Sequence, residues 1–352
     1  MEIGISTFVE TTPDHKTGKT ISHAGRICEV VEEIKLADAV GLDVYGVGEH
    51  HRPDFAASNP AIILAAAAPE TKNIRLTSAV TVLSSADPVR IYQDFATLDA
   101  LSNGRAEIMA GRGSFTESFP LFGYSLSDYH DLFEEKLELL LKIQKDNQKV
   151  NWSGGHRPAI DGLGVYPNPV QDVLPITIAT GGNPESTARA ARLGLPIVYA
   201  IIGGDPMRFS PLIQYYKQVA AQAGHDIKKL TIASHSHGFI AKNHDEAVEK
   251  FYEPTQHVMN VLAKERGWPA YTRGSYDQAR GLDGALYVGD PEVVAKKIIH
   301  LHKHVGITRF MLHLPLGTMP HDDVMTAIKL LGREVAPMVR EEIKRWEHIE
   351  EG

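Results

Sequence analysis

Short apolar, β-branched runs alternate with amphipathic helical segments from one end of this chain to the other, and that alternation limits its fold more than any other feature. Strand-like runs begin near residues 3, 44, 74, 105, 175, 196, 230 and 308, and helical patterns separate them. The segment 30–41 sets Val30, Ile34, Ala37 and Val40 on one helical face and stops at a glycine. Asp87-Pro88 opens a helix that ends in Ser102-Asn103-Gly104, and 127–145 puts Leu132, Phe133, Leu137, Leu140 and Leu141 on one side. The run 74–83 (IRLTSAVTVL) reads as one strand buried on both faces. Eight is the number of parallel strands that closes a barrel. A dinucleotide-binding sheet would need a G-x-G-x-x-G turn after the first strand, and 8–17 has none. The pattern therefore predicts an α/β fold, a (β/α)8 TIM barrel spanning 1–352 as a single domain. It carries insertions at about 146–172 and 241–289. The first holds a tryptophan, glycines and prolines without helical period, as a hairpin or a loop over a site would. The second holds Trp268, Tyr271 and Tyr276, aromatic enough for a lid.

Composition removes several function classes. A formal net charge of −8 without any block of Lys and Arg excludes the basic footprint of a nucleic-acid binder. Cys28 is the single cysteine, so neither an internal disulfide nor a cysteine-cluster metal site can form; its place in a helix predicts a small core residue. The opening MEIGISTF has no basic and apolar leader pattern, and no run of about 20 apolar residues occurs, which predicts a cytoplasmic protein without a membrane partner.

In a parallel α/β fold, chemistry collects where strands end. The stretch 44–52 (VYGVGEHHR) is bland until it closes on Glu49, His50 and His51. Imidazoles titrate near neutral pH and act as base or hydrogen-bond donor, so His50 and His51 are the candidate catalytic residues, and the sequence leaves open which points inward. Other strand ends bring Phe8, Ser78, Ala79 and Val80, Arg112, residues 180–183, residues 200–202, His235, His237 and His313. Only Glu49 supplies a carboxylate, which argues against a two-carboxylate glycosidase. Thr180-Gly181-Gly182-Asn183-Pro184-Glu185-Ser186 offers glycine amides and a helix N-terminus suited to a phosphate, and Arg112 adds a charge-assisted contact. His235 and His237 share a strand face as a metal pair would, but the carboxylate ligands of a hydrolase site are missing, so the reading is of pocket residues and no metal.

Together these residues resemble the bacterial luciferase-like, flavin-dependent monooxygenase family. The resemblance runs from Gly4 to about Val339 and is most specific over 41–51, over 74–88 with 98–112, and over 176–196. It implies a barrel that binds FMN, or in one branch the deazaflavin F420, at its C-terminal mouth. His50 matches the family's catalytic histidine, with His51 second and Glu49 as its orienting partner. Phe8, Ser78, Ala79 and Val80 would then face the flavin ring, Ala79–Val80 matching the place of a non-prolyl cis peptide. Arg112, Thr180, Gly181, Gly182, Asn183 and Ser186 would hold the phosphate. The implied chemistry is that of a monooxygenase: reduced FMN as cosubstrate, supplied by a partner flavin reductase or through NAD(P)H, reacts with O2 to a C4a-peroxyflavin that oxygenates a small organic substrate. A homodimer packed through helices after the early strands is also implied. Gly111 stands where luciferase has a reactive cysteine, Asn183 where it has a serine, and 199–204 lacks its tryptophans, so light emission is not expected. The alternatives are an FMN- or F420-dependent reductase or dehydrogenase on the same barrel, and a non-catalytic flavin-binding protein.

Overall fold

The computed structural model describes residues 1–350, with side chains through Trp346. Eight strands form the barrel: β1 (Glu2–Thr7), β2 (Val44–Val47), β3 (Arg75–Ser78), β4 (Ala106–Gly111), β5 (Ile176–Thr180), β6 (Ile197–Ala200), β7 (Ile232–Ile240) and β8 (Arg309–His313). Each pairs in parallel with the next, and β8 pairs with β1 in the register Ser6↔His313, so the sheet closes without an edge. The principal helices around it are α1 (His23–Ala39), α2 (Pro60–Ala67), α3 (Pro88–Ser102), α4 (Tyr129–Lys145), α5 (Pro184–Arg192), α6 (Ser210–Gln222), α7 (Pro291–Val305) and α8 (His321–Leu330). After α8 a π-turn (Leu331–Val335) leads into a closing helix (Ala336–Glu350). Helix starts follow from local chemistry: Ser22, Asp87, Asn183 and Asp290 each accept a backbone N–H of the first turn, three of them ahead of a proline.

The barrel interior is layered. At the N-terminal ends of the strands, the Arg309 guanidinium donates to both oxygens of Glu107 (2.9 and 3.1 Å), and Glu107 also accepts from Thr177. Val44, Ala79, Met109, Val198, Ala233 and Met311 make an apolar plug. Above it lie Ser6, His235, His237 and His313, all buried.

Three expectations change. The run 74–83 is broken: β3 ends at Ser78, the Ala79–Val80 peptide is cis, and Thr81–Val82 pairs separately with the end of β4. Cys28 is exposed. The inward face of α1 carries Arg26, Val30, Glu33, Ile34 and Ala37, and a residue two positions from Val30 points the other way. The excursion at 146–172 is a hairpin (Val150–Trp152 with Ile160–Leu163), but not one over the site. It leaves the C-terminal end of α4 and climbs the outside of the barrel, where Glu135 accepts from the backbone of Gly155 and His156 and Arg157 bonds Asp87. In the second insertion a helix (His244–Arg266) is followed by another (Arg273–Arg280) and by a short strand (Tyr287–Gly289) added to the end of β7.

Candidate functional site

A cavity of about 460 Å³ opens at the C-terminal mouth of the barrel. Of the residues singled out from sequence, Phe8, Glu49, His50, His51, Ala79, Val80, Arg112, Thr180, Gly181, Ala200, Ile202, His235 and His237 line it. Four candidate binding residues lie outside its wall. Ser78 is fully buried, its hydroxyl donating to Met109 O and accepting from Met109 N (3.1 and 3.0 Å), so it mends the seam where the β3–β4 ladder stops. Asn183 caps α5 by accepting from Ser186 N, and Gly182, at φ +104°, shapes the turn that lets it do so. Ser186 accepts from the Arg112 guanidinium (3.1 Å) and so holds it in place.

The two tandem histidines have different surroundings. His51 Nε2 is 2.8 Å from Glu49 Oε1, while the other Glu49 oxygen accepts from Val82 N at 2.8 Å; the carboxylate thus ties His51 to the chain just past the cis peptide. The His50 ring bonds no side chain or backbone group among the described residues. It stacks on Phe55 with centroids 4.3 Å apart and meets Phe8 and Phe115 edge-on at 4.7 and 5.2 Å. Burial, with help from the Arg52 charge, pushes its pKa down to about 3. It is therefore a neutral imidazole at physiological pH, locked by aromatic packing and able to offer one nitrogen donor and one acceptor.

The opposite end of the cavity is cationic. Arg112 is held between Ser186 and His130 Nδ1 (2.9 Å), with its guanidinium 5.6 Å from the Tyr129 ring centroid. Beside it, Thr180 Oγ1 accepts from the amides of Gly182 and Asn183, and a side chain added at Gly181 would meet nothing within 4 Å. Open glycine backbone, a helix N-terminus and a fixed arginine suit a phosphate group. Arg208, from the turn Pro206–Phe209 after β6, also lines the cavity. Between the two ends, Ala79, Val80, Met109 and Val198 give a flat apolar wall. A Cβ on Gly111 would lie 2.7 Å from Val80, which is why a larger residue does not fit beside this Val80 rotamer. The donor set and dimensions fit a phosphorylated, planar, largely apolar cofactor.

Sequence reasoning missed Ser114, Phe115, Glu117, Tyr129, His130 and Arg208. All come from turns or first helical residues after strands, where no periodicity marks a residue as inward. Arg52 clasps the rim, donating to Glu117 (2.9 Å), to Glu265 (2.7 Å) and to Asp54. The second insertion thus reaches the rim through Glu265 and Arg266. Trp268 follows with its ring 5.0 Å from the Arg266 guanidinium, whereas Tyr276 is buried with its hydroxyl donating to Val248 O. His235 and His237 gain no carboxylate partner. Among the described residues the one group placed to gather three metal-type ligands is Glu29, Glu33 and His321, and there Arg26 already pairs with Glu33 at 2.6 Å.

Comparison with known proteins speaks to family and fold. A family model described as luciferase-like monooxygenase matches residues 1–308. The alkanal monooxygenase alpha chain of Aliivibrio fischeri is 24% identical over 334 residues, covering 86% of this chain and 90% of the relative. Two solved structures share the fold. The oxygenating constituent of 3,6-diketocamphane monooxygenase from Pseudomonas putida, in complex with FMN, has a TM-score of 0.77 and 20% identity, covering 96% of this chain and 98% of the other. The coenzyme F420-dependent tetrahydromethanopterin reductase of Methanopyrus kandleri has a TM-score of 0.71 and 21% identity, covering 96% and 98%. No helix among the described residues is long and apolar enough to cross a membrane.

Proposed function

Because this chain belongs to the luciferase-like monooxygenase family, we propose that it is an FMN-dependent monooxygenase that takes up reduced FMN and O2 to oxygenate a small organic substrate. The observation that carries the reading is the polarity of the cavity: a fixed Arg112 and open Gly181 at one end, a neutral caged His50 at the other, and an apolar wall between. Reduced flavin, when bound, supplies the electrons that activate O2. Arg112, the amides of the 180–183 turn and the start of α5 would bind its phosphate. Ala79, Val80 and Met109 would bind the ring, and Phe8 and Phe115 would exclude water beside His50. The His50 imidazole would hold or move a proton at the reacting centre, and Glu49 with His51 would fix the wall around it. A flavin reductase in a separate chain would supply the reduced cofactor, and a homodimer is part of the proposal.

A second arginine on the cavity wall, Arg208, supports a second reading, since F420 carries a longer acidic tail that a second cation would serve. One titration separates the two. Reduced FMN, followed anaerobically by absorbance and fluorescence, is expected to bind, and Arg112→Ala to weaken it at least tenfold, about 1.4 kcal/mol. Binding of F420 with no binding of FMN in either redox state would replace the first reading by the second.

A further inference from the structure

Beside the cavity the barrel holds a line of polar groups that neither the cofactor wall nor the phosphate end uses. The registers Ser6↔His313 and His313↔His237 place inward-facing side chains of β1, β7 and β8 in one layer. Val9, at φ +59°, turns the chain after β1 and brings Glu10 back against the same layer. Glu10 Oε1 lies 2.8 Å from His313 Nε2. His313 Nδ1 lies 3.4 Å from Ser6 Oγ, and that oxygen lies 2.5 Å from His235 Nε2. Ser6, His313 and Glu10 are buried, and His235 opens into the cavity. An apolar layer like the plug beneath would fill this space at less desolvation cost, so a continuous polar path calls for a role.

We propose that Glu10, His313, Ser6 and His235 form a proton relay that hands a proton from the buried Glu10 carboxyl to a group bound in the cavity against His235. Every bond in the path is satisfied in either of two arrangements. In the charged relay, Glu10 O–H donates to His313 Nε2, His313 Nδ1–H to Ser6 Oγ, and Ser6 O–H to His235 Nε2, which leaves the His235 Nδ1–H facing the cavity. Discharge passes that Nδ1 proton to the bound group. The Ser6 proton moves to His235 Nε2, the His313 Nδ1 proton to Ser6, and the Glu10 proton to His313 Nε2. One proton leaves, both rings change tautomer and end neutral, and Glu10 ends as a carboxylate. Burial pushes Glu10 up to about 8 and both histidines down to about 3, so the charged relay with neutral rings is the resting state at neutral pH. The groups facing Glu10 are Arg26 of α1, which favours the carboxylate, Glu33 of the same helix, which opposes it, the Thr7 hydroxyl, which donates to it at 3.3 Å, and His313. Around the two rings stand the imidazoles of His237 and His50, which burial also keeps neutral. Glu10, His313 and Ser6 are positioning residues; only His235 touches the cavity. What the proton is used for rests on the flavin reading, whereas the relay is a property of the protein alone.

The test therefore starts without cofactor. Nitrogen-15 NMR of the histidine rings, taken from pH 6 to 9, is expected to show His313 and His235 changing together from the Nδ1–H to the Nε2–H tautomer near pH 8. Glu10→Gln, which keeps the shape and a donor but carries no transferable proton, should freeze both rings. Ser6→Ala should leave the His313 change intact and uncouple His235 from it. Tautomers that stay fixed across the range, or a His235 change that survives Ser6→Ala, would overturn the relay whether or not FMN binds. With reduced FMN bound, reoxidation by O2 is expected to show a solvent deuterium effect that Glu10→Gln removes together with a tenfold loss of rate, at unchanged affinity for FMN. Loss of thermal stability alone, with the isotope effect and rate kept, would mean a structural network. Failure of FMN to bind would sink the flavin reading, and the tautomer change would still decide for or against the relay.

Discussion

His50 shows how neighbours decide what a residue can do. Its ring is caged by Phe8, Phe55 and Phe115, and burial keeps it neutral down to about pH 3. In the unfolded chain the same imidazole titrates near 6.5. Below that value the unfolded state binds a proton that the folded state refuses, so this group's contribution makes stability fall as pH falls from about 6.5 towards 3. His50→Gln should therefore unfold at pH 5 with about one fewer proton taken up than the parent, read from the pH slope of urea stability. It should also lower kcat by about 10² or more while leaving FMN affinity within a few-fold; an unchanged kcat would remove His50 from the chemistry. Glu10 runs oppositely: its pKa, raised to about 8, contributes stability that is present below about 4.5 and lost as pH rises through 8. The Glu49-His50-His51 cluster was legible because three polar residues end an otherwise apolar strand. His313 was placed at a strand end, but its pairing with Glu10 was not legible, because 303 residues separate them and only the barrel's closure makes them neighbours.

At the scale of elements, all eight strands were readable, since a parallel strand covered on both faces must be an unbroken apolar run. That property kept the break at Ala79–Val80 out of the periodicity, since a run of apolar residues looks alike whether straight or interrupted; only the family resemblance placed a cis peptide there, as the structure has it, and Ser78, which seals the gap, looks like an ordinary strand residue. The excursion at 146–172 stood out by its composition, but not its place on the outside of the barrel, which follows from its leaving a helix and not a strand. The polar floor, Glu107 with Arg309, was also unmarked, because the partners lie 202 residues apart. Both are nearly fully buried, so Glu107→Gln leaves a guanidinium facing Glu2 alone. The expected cost is about 3–5 kcal/mol, seen as a lower urea midpoint with unchanged slope. A loss below about 1 kcal/mol would mean that water or Glu2 replaces the lost partner.

At the scale of the molecule, the outer face of α2 presents Ile62, 68% exposed, and neighbouring α3 presents Leu101, 53% exposed. The proposed dimer contact, through helices after the early strands, would cover Ile62. Ile62→Glu should then move the protein from dimer to monomer in analytical ultracentrifugation with the circular dichroism spectrum unchanged; a monomeric parent protein would refute the contact. Closure of the barrel has another consequence, in time. β1, made before the other seven barrel strands, pairs with the eighth, whose final residue is number 313, and Glu10 reaches its histidine only through that pairing. A nascent chain that has passed seven strands still lacks its last seam and the base of its pocket. Competence for chemistry thus arrives late in synthesis and all at once, so a prematurely ended chain is an open sheet with no partly working site.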